Sequence, residues 1–81
     1  MAIYTKQQLK NLGFLSVGEN VRISTKASLY GVSSISIGDN VRIDDFCVLS
    51  AGEGGITIGS HVHIAVFSSL IGAGEITIGD F

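Results

Sequence analysis

The same phrase begins four times in this chain. VGENVRI starts at Val17, IGDNVRI at Ile37, IGSHVHI at Ile58 and IGDF at Ile78, so the starts fall 20, 21 and 20 residues apart. A fixed period of that length means a chain wound into successive near-identical turns that bury their apolar faces on one another, not one folded around a single globular core.

Within each period, branched apolar residues recur every six: Val17, Ile23, Leu29, Ile35; then Ile37, Ile43, Leu49; then Ile58, Ile64, Leu70, Ile76. A helix wants spacings of three and four, and a simple strand wants two. Six fits a coil with three short flat sides, in which the apolar residue at the middle of each side points inward and its neighbours point out. Two further residues per turn, such as Ile35-Ser36 or Ile76-Thr77, lengthen one side. The second turn holds one residue more, with Leu49 and Ile56 seven apart, and the glycines at 52, 54 and 55 are where a bulge absorbs it. Smaller residues four after each apolar one (Val21, Ala27, Val41, Cys47, Val62, Ser68) are expected to fill the inside corners. Cys47 therefore reads as a corner residue and not as a reactive thiol. Gly18, Gly38, Gly59 and Gly79 read as tight-path backbone positions, and SAGEGG lacks the strand-to-helix spacing of a phosphate loop.

Residues 1–16 form a separate lead-in to the repeats at 17–81. Thr5 is a good N-cap, KQQLKNL has good helix formers and Gly13 is a good stop, which predicts a helix from about Lys6 to Leu12 capping the first turn. At the other end Ile76, Ile78 and Phe81 belong to a turn that has just begun. Its exposed pairing groups and apolar interior predict either a chain truncated at its C-terminus from a longer protein or an end buried against another copy.

Eighty-one residues allow one domain, and 46% hydrophobic against 15% charged residues excludes a disordered segment. The apolar residues occur in ones and twos, far from the ~20 in a row that a spanning helix needs. No membrane span is expected. The N-terminus lacks an apolar secretion run and there is one cysteine, so a cytoplasmic protein is expected. A net charge of −2 with five scattered basic residues argues against a nucleic-acid partner. A few basic side chains in a row would still hold an anionic ligand locally.

Hexads of the form [LIV]-G-x-x-x-x, as in IGDNVR and IGSHVH, resemble those of the hexapeptide-repeat acyltransferases. That resemblance implies an all-β fold, a left-handed parallel β-helix of about three coils with the short N-terminal helix as its cap. The segments YTKQQLKNLGFLSVGENVRIS, IGDNVRIDDFCVLSAGEGGITIG and HVHIAVFSSLIG resemble the N-terminal part of bacterial sugar O-acetyltransferases of the galactoside acetyltransferase group. What this implies is acetyl-CoA as donor, a sugar hydroxyl as acceptor, a homotrimer, and a site between neighbouring β-helices where a histidine activates the hydroxyl.

Acyl transfer to an alcohol needs a base for the hydroxyl proton, and histidine suits that task near neutral pH. His61 falls in the column of Asn20 and Asn40, a turn position where left-handed backbone is tolerated. His63 follows Arg22 and Arg42 in an outward column, and the VHIA match supports it as the catalytic base. Asp44 and Arg42 on the same side are the substrate-binding candidates, with Asp44 placed to orient the imidazole or a hydroxyl, or simply to pair with Arg42 or Arg22. Two histidines in unlike columns do not supply the three convergent ligands of catalytic zinc, so no metal is expected. Ser36, Thr57 and Thr77 form one hydroxyl column, better explained by cross-strand contacts than by an ice-binding array. The competing expectation is an inactive β-helical scaffold that oligomerises.

Overall fold

The computed structural model describes residues 2–80. Helix α1 spans Lys6–Leu12 and is followed by ten short strands: β1 (Ser16–Val17), β2 (Arg22–Ile23), β3 (Ser28–Tyr30), β4 (Ile35–Ile37), β5 (Arg42–Ile43), β6 (Val48–Ala51), β7 (Ile56–Ile58), β8 (His63–Ile64), β9 (Ser69–Gly72) and β10 (Ile76–Ile78). They form three parallel sheets in the orders β1-β4-β7-β10, β2-β5-β8 and β3-β6-β9, each strand pairing with the strand one coil away. The architecture is the expected left-handed parallel β-helix of about three coils with one short N-terminal helix.

The register follows the hexads. Ile23 pairs with Ile43 and Ile43 with Ile64; Leu29 pairs with Leu49 and Leu49 with Leu70. Ile23, Ile35, Ile43, Leu49, Ile56 and Ile58 are at most 1% exposed, which makes the interior a set of apolar columns. Val41 and Cys47 fill inside corners as expected, and the Cys47 thiol donates to the Ala65 carbonyl at 3.0 Å. Both Ile35 and Ile37 point inward with Ser36 between them, so the two extra residues per turn lengthen this side.

The additional residue of the second coil lies in the Gly52–Gly55 turn. Ala51 still pairs with Gly72, and Ile56 with Ile35 and Ile76, so neither flanking ladder slips. Gly55 takes φ +76°, a conformation open to glycine at little cost. At another corner Asn20, Asn40 and His61 have φ of 56°, 56° and 61°, so the turn column predicted from their alignment is left-handed. A second such corner was not foreseen: Phe46 and Phe67 have φ of 61° and 63°. Their rings stack with centroids 5.5 Å apart, and the Lys26 ammonium lies 5.7 Å from the Phe46 ring centre.

The glycines of the first three repeat phrases, Gly18, Gly38 and Gly59, are needed for space and not for their dihedral angles, whereas Gly79 on the last coil is uncrowded. A Cβ on Gly38 would come within 2.8 Å of both the Gly59 carbonyl carbon and Ser60 Oγ. The next column stitches the coils together, since Glu19 N–H donates to Asp39 Oδ1, Asp39 N–H to Ser60 Oγ, and Ser60 N–H to Asp80 Oδ1.

Helix α1 closes the first coil. Thr5 and Gln8 form a reciprocal capping box, and Gly13 ends the helix at φ 90°. Leu9 is buried in the core, with Tyr4, Leu12 and Phe14 packed beside it. The residues before the helix also cover a strand edge: Ile3 bridges Ser24 antiparallel, while Tyr4 N–H donates to the Ile23 carbonyl and Thr25 N–H to the Ala2 carbonyl. Ile76 and Ile78 are half-buried on the last strand, and Phe81, expected in the same turn, lies outside the described residues.

Candidate functional site

Strands β2, β5 and β8 put Arg22, Arg42 and His63 in one outward column, because Arg22 pairs with Arg42 and Arg42 with His63. Each precedes the buried isoleucine of its strand, so the pleat turns it outward. The parallel ladder sets neighbouring members about 4.8 Å apart.

Asp44 is the centre of the site. Its Oδ1 accepts a hydrogen bond from Arg42 Nε at 2.7 Å, and its Oδ2 lies 2.8 Å from His63 Nε2. The carboxylate side chain is 10% exposed, against 46% for Arg42 and 53% for His63. Asp44 is thus more enclosed than the surface ion pair its position suggested. The bond from His63 holds its carboxyl below the ordinary carboxylate value, and Arg42 adds to this against the cost of partial desolvation.

An ionised carboxylate can only accept, so His63 Nε2 is the donor to Asp44, and in the neutral imidazole this leaves the Nδ1 lone pair available. A base held in one tautomer by a carboxylate, itself held by a guanidinium, is suited to taking a proton from an attacking nucleophile. Arg42, His63 and Asp44, the three residues singled out from the sequence, therefore meet. Arg22 shares their column without touching Asp44. His61 is a left-handed corner residue whose N–H donates to the Asp39 carbonyl, away from this cluster.

The sequence pattern did not reveal the exposed Phe46–Phe67 stack, although the spacing of 21 residues between the two phenylalanines marked them as neighbours on adjacent coils. Among the described residues no three His, Cys, Asp or Glu side chains converge as a metal site would require. No described helix is long and apolar enough to cross a membrane.

No family model matches the chain. Over 56 residues it is 65% identical to the dTDP-4-amino-4,6-dideoxy-D-glucose acyltransferase of Escherichia coli, a match covering 69% of this chain and 29% of that protein. Among solved structures it is similar to AntD, an N-acyltransferase from Bacillus cereus, in complex with dTDP and 3-hydroxybutyryl-CoA. There the TM-score is 0.92 at 53% identity, over 100% of this chain and 43% of that one. A serine-to-cysteine variant of AntD, in complex with dTDP-4-amino-4,6-dideoxyglucose and coenzyme A, gives a TM-score of 0.85 at 55% identity, over 96% and 40% of the two chains. The chain thus spans less than half the length of these relatives. They differ from the expected sugar O-acetyltransferases in one respect, since their acceptor is named as an amino sugar and AntD as an N-acyltransferase. High identity and the shared coil geometry together make this chain a homologue of one part of these hexapeptide-repeat sugar acyltransferases.

Proposed function

We propose that these coils serve an acyltransferase that moves an acyl group from a CoA thioester to the amino group of a nucleotide-linked amino sugar. His63 is the base. The observation that carries the reading is the continuous contact from Arg42 through Asp44 to His63 on one exposed face. The substrate class comes from the relatives, so the hydroxyl acceptor expected at first gives way to an amine.

The neutral amine attacks the thioester carbonyl, and nitrogen becomes cationic as the new C–N bond forms. His63 Nδ1 takes the nitrogen's proton while Asp44 stabilises the resulting imidazolium. Collapse of the tetrahedral intermediate breaks the C–S bond, and the departing thiolate takes the proton back from His63. Arg42 acts through Asp44, keeping it ionised and correctly turned. A neighbouring copy in a homotrimer completes the site across the groove between β-helices. A CoA thioester donor and an unpaired cysteine both suit the cytoplasm.

Thiol release tests this directly, with acetyl-CoA and 3-hydroxybutyryl-CoA as donors and dTDP-4-amino-4,6-dideoxyglucose as acceptor. It is measured on this chain and on the E. coli relative with its matching coils replaced by these residues. Release should require the amine, and His63→Ala should lower it by roughly 10²–10⁴-fold. Full activity in His63→Ala refutes the assignment. Tight CoA binding with no amine-dependent release in either protein would favour an inactive scaffold.

A further inference from the structure

The column that holds His63 also contains both arginines of the chain; the three lysines lie elsewhere, at Lys6, Lys10 and Lys26. Arg22 sits directly across from Arg42 in the parallel ladder, and like charges in that relation destabilise a sheet. Asp44 compensates Arg42 through Nε alone, leaving the two terminal nitrogens of that guanidinium without a partner among the described residues. Arg22 is exposed and makes no ion pair or side-chain hydrogen bond among the described residues. The other nearby carboxylate, Asp45, accepts from the buried Ser24 hydroxyl and forms no ion pair with either arginine.

Two arginines on neighbouring strands, their backbones about 4.8 Å apart on one outward face, present a pair of planar donor forks suited to two linked phosphoryl groups. We propose that Arg22 and the free edge of Arg42 form a diphosphate-binding subsite. It anchors the substrate one coil below His63 and directs the reacting group upward to the imidazole. A bridging diphosphate would also relieve the repulsion between the stacked arginines. This rests on the acyl-transfer reading for its orientation, but the anion site stands on the arginine pair by itself. Diphosphate chemistry has two sources in this reaction, the nucleotide of the sugar and that of coenzyme A, and the test separates them.

Inorganic pyrophosphate, dTDP and CoA are each titrated into the folded chain by calorimetry at two salt concentrations, using wild type, Arg22→Gln, Arg22→Lys and Lys10→Gln. Arg22 is exposed, so these variants are expected to keep the wild-type far-UV circular dichroism. Arg22→Gln should weaken pyrophosphate binding at least roughly tenfold, with Arg22→Lys intermediate because it keeps the charge and loses the fork. A parallel loss for dTDP assigns the sugar nucleotide to the subsite, whereas a parallel loss for CoA assigns the donor. Undetectable pyrophosphate binding to wild type, equal affinities in wild type and Arg22→Gln, or an equal loss in Lys10→Gln overturns the subsite. The outcome is independent of the His63 assay, which reads thiol release and not anion affinity.

Discussion

Ile43→Ala tests whether the coil interior is packed as a solid or only loosely collapsed. Ile43 is fully buried in the middle coil, paired below with Ile23 and above with Ile64. The substitution removes three carbons, worth about 2.4 kcal/mol at ~0.8 kcal/mol each. A rigid ladder on both sides prevents collapse into the gap, and a residual cavity of about 50 Å³ adds about 1.2 kcal/mol. The expected loss is about 3.5 kcal/mol. With a urea dependence of about 1.5 kcal/mol/M, the far-UV circular dichroism midpoint should fall by about 2.3 M at fixed protein concentration. Ile64→Ala is the internal control, because that residue is 7% exposed on β8, which has a strand partner on only one side. Relaxation there should limit the cost to about 2 kcal/mol. A loss below about 1 kcal/mol for Ile43→Ala with unchanged slope, or a larger loss for Ile64→Ala, refutes rigid column packing.

Three further outcomes follow from other parts of the molecule. Gly38→Ala forces a methyl against the Gly59 backbone and should lower the urea-derived stability by about 1–3 kcal/mol, even though glycine-to-alanine changes elsewhere often stabilise. Thr5→Ala removes half of the capping box and should cost about 1 kcal/mol, read as a lower melting temperature and faster exchange of helix amides. The folded pKa of Asp44 is depressed, so its stabilising contribution is complete above the ordinary value of 3.8 and is lost as pH falls through the lowered folded value. Acid titration of stability should therefore show a decline in that range that is smaller in Asp44→Asn; identical profiles would show that the cluster adds nothing to folding.

The fold was legible because a repeat makes its own alignment. Stacking the copies of the phrase put Asn20, Asn40 and His61 in one column and Arg22, Arg42 and His63 in another, and the left-handed dihedrals and strand register follow those columns. The meeting of Asp44 with both Arg42 and His63 was only half visible. Column order shows that Asp44 lies beside them, but the choice among Arg22, Arg42 and His63 depends on rotamers and on how deeply the carboxylate sits. The aromatic corner was missed for a different reason. Phenylalanine is a poor choice for φ near 60°, and only the backbone path shows that Phe46 and Phe67 occupy it. Likewise the antiparallel cover formed by residues 2–4 has no periodic signal, since it lies outside the repeat.

The Gly52–Gly55 turn has a consequence for how such a solenoid acquires new parts. One coil already holds an extra residue at this corner while the ladders before and after it keep register, so chain length there is uncoupled from coil geometry. Loop closure grows only as the logarithm of length, and doubling a flexible insert costs about 0.6 kcal/mol. Glu53, exposed in that turn, is therefore a port through which a recognition loop can be grafted or gained. The coils on either side would carry it without being redesigned.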